Sequence, residues 1–163
     1  MISNLRFVFV HHGYKVENGA KKRNDWPLTE RGREDSQAAG TWLREQEIMP
    51  DFIFTTSARR TQETAACIVA ELGLGAPIIE DKGAGFRSQD GAAEAKLEDW
   101  LNGRDHWQKT VLFVGHDSSR NACLNRLGRP PVPVTFHNSC VLVYHCDESG
   151  DWTLVNHFPG REE

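Results

Sequence analysis

Residues Leu5–Tyr14 read LRFVFVHHGY. Phe7–Val10 is unbroken apolar sequence built from β-formers, the signature of a strand covered on both faces. Such a run usually ends in a turn of Asn, Asp, Pro or Gly. Here it ends in His11 and His12, and only then Gly13. Imidazoles are poor turn formers, so these two call for a reason other than chain reversal.

Working outward, short β-rich runs alternate with longer helical patterns. Leu5–Val10 is the first strand. Thr29 to about Glu47 has helical spacing, with Ala39, Trp42 and Leu43 on one face and Thr29 as N-cap. Asp51–Thr56 (DFIFTT) is a second strand, and Arg59–Leu72 a second helix with Ala65, Ile68, Val69 and Leu72 inward. Pro77–Glu80 is a short strand, Ala92–Leu101 a helix, Thr110–Gly115 (TVLFVG) an apolar strand and Ser118–Leu127 a helix. Val141–His145 and Trp152–Phe158 are strands joined by DESGD, which predicts a hairpin. The alternation predicts an α/β fold, a three-layer α/β/α sandwich with a mainly parallel sheet and an antiparallel edge. No repeat or linker divides residues 1–163, which read as one domain.

The net charge of -4 argues against a general nucleic-acid partner. No apolar run reaches membrane-spanning length, and Arg6 interrupts the first stretch that a leader would need. Cys67, Cys123, Cys140 and Cys146 form no CxxC pair and read as reduced thiols of a cytoplasmic protein. Lys21-Lys22-Arg23, with Arg31 and Arg33, is a local basic excess. It reads first as a solvated face and second as a rim that attracts an anion.

Ligands of open α/β sheets bind beyond the carboxyl ends of the strands. Those ends carry His11-His12-Gly13, then Thr56-Ser57 running into Arg59-Arg60, then His116-Asp117-Ser118-Ser119-Arg120. Imidazole, guanidinium and hydroxyl groups with few carboxylates make an anion site, and phosphate is the commonest anion that needs one. Taken singly, each group has an ordinary explanation: a surface His, an Asp117 that caps a helix, a polar first turn. Arginines at a helix N-terminus oppose the macrodipole, and a bound anion would offset that.

The order of these motifs resembles the histidine phosphatases, the phosphoglycerate mutase-like superfamily. Their first strand ends in Arg-His-Gly, whose His is the phosphorylated nucleophile; FVFVHHG aligns His12 with it and puts His11 where Arg stands. Pro27-Leu28-Thr29-Glu30-Arg31-Gly32 matches the helix start. TSARRTQETA matches Ser-Pro, two positions, Arg-Ala, two positions, Thr-Ala, which puts Arg60 rather than Arg59 at the phosphate. VGHD makes His116 the second active-site histidine. Length and the WPLTERG segment are most similar to the short phosphohistidine-phosphatase branch.

The resemblance implies a metal-independent phosphatase without a cofactor. His12 attacks phosphorus, water hydrolyses the phosphohistidine, and Arg60, His116, Gly13 and, weakly, His11 hold the phosphate. Its substrate is a phosphorylated small molecule or a phosphohistidine protein, reached through an open mouth that Tyr14 and Trp26 line or merely pack beneath. A mutase lacks support, since the chain has no long insertions to enclose a sugar phosphate.

Proton donors in the family imply Asp117 first, with Glu80 or Asp81 as alternatives, or none for an imidazole leaving group. His11 offers one donor where Arg offers a charged fork. This predicts slow turnover that rises as pH falls, with a bell-shaped profile because His12 must stay neutral. The rival expectations are a pseudophosphatase that binds phosphate without turnover, and a metal hydrolase using His11, His12 and His116. The latter is disfavoured because neighbours on a strand face opposite ways.

Overall fold

The computed structural model describes residues 5–73, 75, 77–81, 93–103 and 109–162. In chain order the elements are β1 (Arg6–His11), α1 (Glu30–Glu45), β2 (Phe52–Thr55), α2 (Arg59–Leu72), β3 (Ile78–Glu80), α3 (Ala93–Asn102), β4 (Thr110–Gly115), α4 (Asp117–Arg126), β5 (Val141–Cys146) and β6 (Trp152–Phe158). The six strands form one sheet in the order β3-β2-β4-β1-β5-β6. The pairs β3–β2, β2–β4 and β4–β1 are parallel, while β5 runs against both β1 and β6. The antiparallel expectation therefore falls on the penultimate strand, and the edge strand β6 runs with β1.

The alternation within FVFV sets the layers. Phe7 and Phe9 face α3 and α4, joining Phe54, Phe113, Leu97, Trp100, Ala122 and Leu124. Val8 and Val10 face α1 and α2, joining Ile53, Leu112, Val114, Ala39, Leu43, Ala65 and Ile68. One face is aromatic and the other aliphatic, and both are closed by helices. The chain has the mixed α/β sandwich expected of it.

Boundaries shift by a residue or two. Thr29 caps α1 as expected, its side chain accepting from the Gly32 amide at 2.9 Å. Pro77 lies just outside β3, as expected of a residue without a donor. Ala92, placed in the third helix by its spacing, lies outside the described residues. The fourth helix begins one residue early, so Asp117 is its first residue and His116 occupies the N-cap position in a capping-box arrangement with Ser119. Asp117 is thus not the cap.

The turn after β1 packs directly on α1. A Cβ on Gly13 would lie 2.6 Å from the Gly32 carbonyl oxygen, and one on Gly32 would lie 2.3 Å from that of Tyr14. Backbone meets backbone here, and only glycine fits on both sides. This contact fixes where the chain goes after the two histidines. For Gly32→Ala, the helix gains about 1 kcal/mol of propensity, but overlap with a backbone oxygen costs at least ~1–3 kcal/mol. The overlap wins, because the oxygen belongs to a paired turn and cannot rotate away. Urea denaturation should show the variant less stable than the wild type; an equal or higher midpoint would contradict this packing.

Candidate active site

The parallel register assembles the site. His11 pairs with Gly115 across β1–β4, and Thr55 pairs with Val114 across β2–β4. One residue further along each strand come His12, His116 and Thr56. The His12 amide extends the ladder by donating to the Gly115 carbonyl at 3.1 Å. The His12 and His116 ring centroids are 5.3 Å apart. Arg60, from the first turn of α2, reaches the same place: its Nη2 donates to His116 Nδ1 at 3.3 Å and its Nη1 to the Arg23 carbonyl at 3.1 Å. Arg60 is 1% exposed, whereas Arg59 lies outside and pairs with Glu63 at 3.1 Å. Counting the motif to Arg60 selected the inward residue.

Hydrogen-bond directions assign the protons. His12 Nδ1 lies 2.7 Å from the Gly13 carbonyl oxygen. A carbonyl only accepts, so the proton is on Nδ1 and the Nε2 lone pair is unused by it. Burial, reinforced by the neighbouring His11, pushes the His12 imidazole down to about 2. It stays neutral throughout the ordinary pH range, so the bell-shaped profile expected from sequence loses any acidic limb from His12 near neutrality.

His116 is neutral by a similar chain. A guanidinium only donates, so Nδ1 accepts from Arg60 and the proton sits on Nε2, 3.0 Å from Thr56 Oγ1. Thr56 also accepts from the Ala58 amide at 3.3 Å and lies 2.9 Å from Thr61 Oγ1, which donates to the Ala58 carbonyl at 2.8 Å. Every link runs one way, from Arg60 through His116 and Thr56 to Thr61. In this arrangement His116 carries its one proton on Nε2, directed at Thr56.

His11 differs from its expected role. Its Nδ1 lies 2.8 Å from the His12 carbonyl and its Nε2 lies 2.7 Å from Asp117 Oδ1. Two acceptors are satisfied together only by an imidazolium with both N–H groups. Both donors are engaged in this arrangement, and His11 brings positive charge beside His12. Its ring lies beside that of His12, with centroids 4.4 Å apart. The opposite-faces argument fails because β1 ends at His11 and the chain has already turned.

Asp117 also departs from its expected part. The hydrogen bond from His11 holds its carboxyl well below the usual carboxylate range. It is ionised and has no proton to give a leaving group. Asp81 accepts from Trp100 Nε1 at 3.1 Å, and Glu80 from Gln62 Nε2 at 3.4 Å on the exposed edge. Gly13 is needed for the α1 contact, and its amide donates to Thr64 Oγ1 at 3.0 Å rather than standing open to phosphate. Trp26 is half-buried and donates to the Asn18 carbonyl at 2.7 Å, tying down its own loop. Tyr14 is half-buried too.

Thr56 was named among the strand-end hydroxyls, but Thr61 and Thr64 were missed as site components. Their signal was legible, since Arg60, Thr61, Thr64, Ala65 and Ile68 form one buried stripe whose first turns are polar. Lys15 was missed as well. Burial, with Arg60 and Arg23 close by, pushes its ammonium down. Of the basic excess, Arg31 pairs with Asp35 and Arg33 with Glu63, leaving Lys21, Lys22 and Arg23 on the exposed side of the loop. Among the described residues, no three His, Cys, Asp or Glu side chains are grouped to hold a metal ion.

A sequence model of the histidine phosphatase superfamily (branch 1) matches residues 7–85, which include His12 and Arg60. Residues 7–85 thus carry the sequence pattern of the histidine phosphatase superfamily. Among curated relatives, the 2,3-bisphosphoglycerate-dependent phosphoglycerate mutase of Methylorubrum extorquens is 37% identical over 71 residues, 42% of this chain and 34% of that protein. The mutase of Parvibaculum lavamentivorans is 29% identical over 111 residues, 66% of this chain and 51% of that one. The chain thus spans about a third to a half of the curated relatives it matches.

Solved structures agree over nearly the whole fold. A protein of Agrobacterium tumefaciens, provisionally assigned as the phosphohistidine phosphatase SixA, aligns at TM-score 0.78 and 17% identity over 95% of this chain and 97% of that one. The protein histidine phosphatase SixA complexed with tungstate aligns at TM-score 0.75 and 20% identity over 94% and 96%. In architecture this chain shares the fold of these two proteins over nearly their whole length.

A neutral buried imidazole has a thermodynamic signature. His12 titrates near 6.5 when unfolded and about 2 when folded, so the unfolded state binds the extra proton as pH falls below 6.5. Stability is therefore full above that value and lost through the window from 6.5 towards 2, at about 1.4 kcal/mol per pH unit. The Asp117 carboxyl adds the same sign only below its ordinary 3.8. Between pH 7 and pH 5 the wild type should lose about 2 kcal/mol more than His12→Gln in denaturant titrations. Parallel losses in the two proteins would mean that His12 is not held neutral.

Proposed function

We propose that this protein is a metal-independent phosphatase that works through a phosphohistidine on His12. Supporting this reading is the convergence of a neutral His12, its Nε2 left unused by Gly13, with the buried guanidinium of Arg60 and the ring of His116. The Nε2 lone pair attacks phosphorus in line, the P–N bond forms and the bond to the leaving group breaks. Arg60 donates to the equatorial oxygens, and the charged His11 stabilises the same build-up of negative charge from beside His12. Water then attacks the phosphohistidine, releasing inorganic phosphate and returning the electron pair to Nε2.

The leaving group decides the substrate class. Asp117 is ionised, while Glu80 and Asp81 are engaged elsewhere, so among the described residues none of these three carboxyl groups stands ready to protonate an alkoxide. A leaving group that departs easily, such as the imidazole of a protein phosphohistidine, fits this site better than a simple alcohol. The solved SixA relative with tungstate shows the same fold accepting a tetrahedral oxyanion. Losing one preorganised donor with the family arginine costs on the order of a hundred- to a thousandfold in rate, so turnover is slow. Residues 1–163 act as one histidine phosphatase-like domain. Four free thiols suit a reducing compartment such as the cytoplasm, and no described helix is long and apolar enough to cross a membrane.

The test is chemical trapping. Incubation with a phosphohistidine protein or acetyl phosphate, followed by quenching in base, should leave acid-labile phosphate on His12 by mass spectrometry. His12→Gln should carry none, and chelators should change nothing. Phosphate binding without any label or turnover would replace this reading with that of a pseudophosphatase.

A further inference from the structure

The contact between His11 and Asp117 sets a carboxylate against a cation at a site that is to receive an anion. Asp117 Oδ1 sits 2.7 Å from His11 Nε2, and the acid is 76% exposed while its partner is 2% exposed. A surface carboxylate thus occupies a donor of a buried cation. The other ring nitrogen is tied to the His12 carbonyl, so Nε2–H is the one donor His11 can redirect. Resting on the phosphatase reading, we propose that Asp117 competes with the phosphoryl group for His11, holding Nε2–H until phosphate enters and then yielding it.

A second resting place for the carboxylate exists. Arg120 Nη1, three residues along α4, lies 3.6 Å from the same Oδ1. Asp117 is the first residue of α4, where the helix dipole favours a carboxylate whichever way it points. Turning from His11 to Arg120 therefore keeps a cationic partner and the helix end while removing a negative charge from the phosphate's path. Once freed, the N–H beside His12 gives the phosphate a charged donor where relatives of this chain place an arginine. Rejecting weakly charged ligands follows, because only a group more anionic than a single carboxylate displaces Asp117.

Orthophosphate binding tests this by isothermal titration on wild type, Asp117→Asn, His11→Gln and the double variant. Asp117→Asn should bind phosphate on the order of tenfold tighter, the equivalent of about 1.4 kcal/mol. In the His11→Gln background the same change should gain less than about twofold, because there is no donor left to release. An undiminished gain there would reduce Asp117 to a distant negative charge and overturn the proposal, as would weaker binding by Asp117→Asn. If His11→Gln does not fold, the wild type carries the test by imidazole NMR: the His11 Nε2–H resonance should move on phosphate saturation, and a fixed resonance overturns the proposal. Phosphate binding by none of the proteins would remove the phosphatase reading as well; labelling of His12 with no gain from Asp117→Asn would remove the competition alone.

Discussion

The parallel register between β1 and β4 is the constraint on which everything else depends. It pairs His11 with Gly115 and so delivers His12 and His116, more than a hundred residues apart in sequence, to the same sheet edge. A slip of one residue would turn Phe7 and Phe9 into the aliphatic layer and Val8 and Val10 into the aromatic one. The two unlike cores resist that slip, since one is built to the volume of phenylalanine rings and the other to that of β-branched side chains. Core composition thereby positions the two imidazoles.

Given that edge, charge is distributed by hydrogen bonding rather than by residue type. Of three adjacent imidazoles, His11 faces two acceptors and is charged, while His12 and His116 each face one donor-defining partner and are neutral. Two cations, His11 and Arg60, flank a neutral His12, with Asp117 as the internal counter-ion. Neutral His12 is a requirement for nucleophilic attack, and burial beside a charged neighbour secures it without a general base. The cost is sensitivity to acid, because burying an imidazole favours unfolding wherever the free ring would take up a proton.

Much of this was legible in the sequence. The FVFV run, the helix of Arg59–Leu72 with its unaltered bounds, and the three polar strand ends all follow from residue pattern. Arg60 was separable from Arg59 by motif spacing, and burial agrees. What escaped is the direction of hydrogen bonds across large sequence distances. His11 meets Asp117 across a separation of 106 residues, and no local pattern distinguishes a donor that is free from one already taken. The same reason hid Thr64 behind the Gly13 amide and made Gly13 look like a phosphate ligand when it is a packing contact. The cap of α4 was misplaced by one residue because Asp is the commoner cap, yet at this position it is drawn to His11 instead.

The central claim is that His12 is a neutral ring with its proton on Nδ1 and its lone pair on Nε2. Nitrogen-15 spectra of imidazole-labelled protein at pH 5, a value at which a free histidine is charged, measure this directly. His12 should show one protonated and one unprotonated nitrogen, with the proton on Nδ1. An imidazolium pattern at pH 5, or a proton on Nε2, would contradict it.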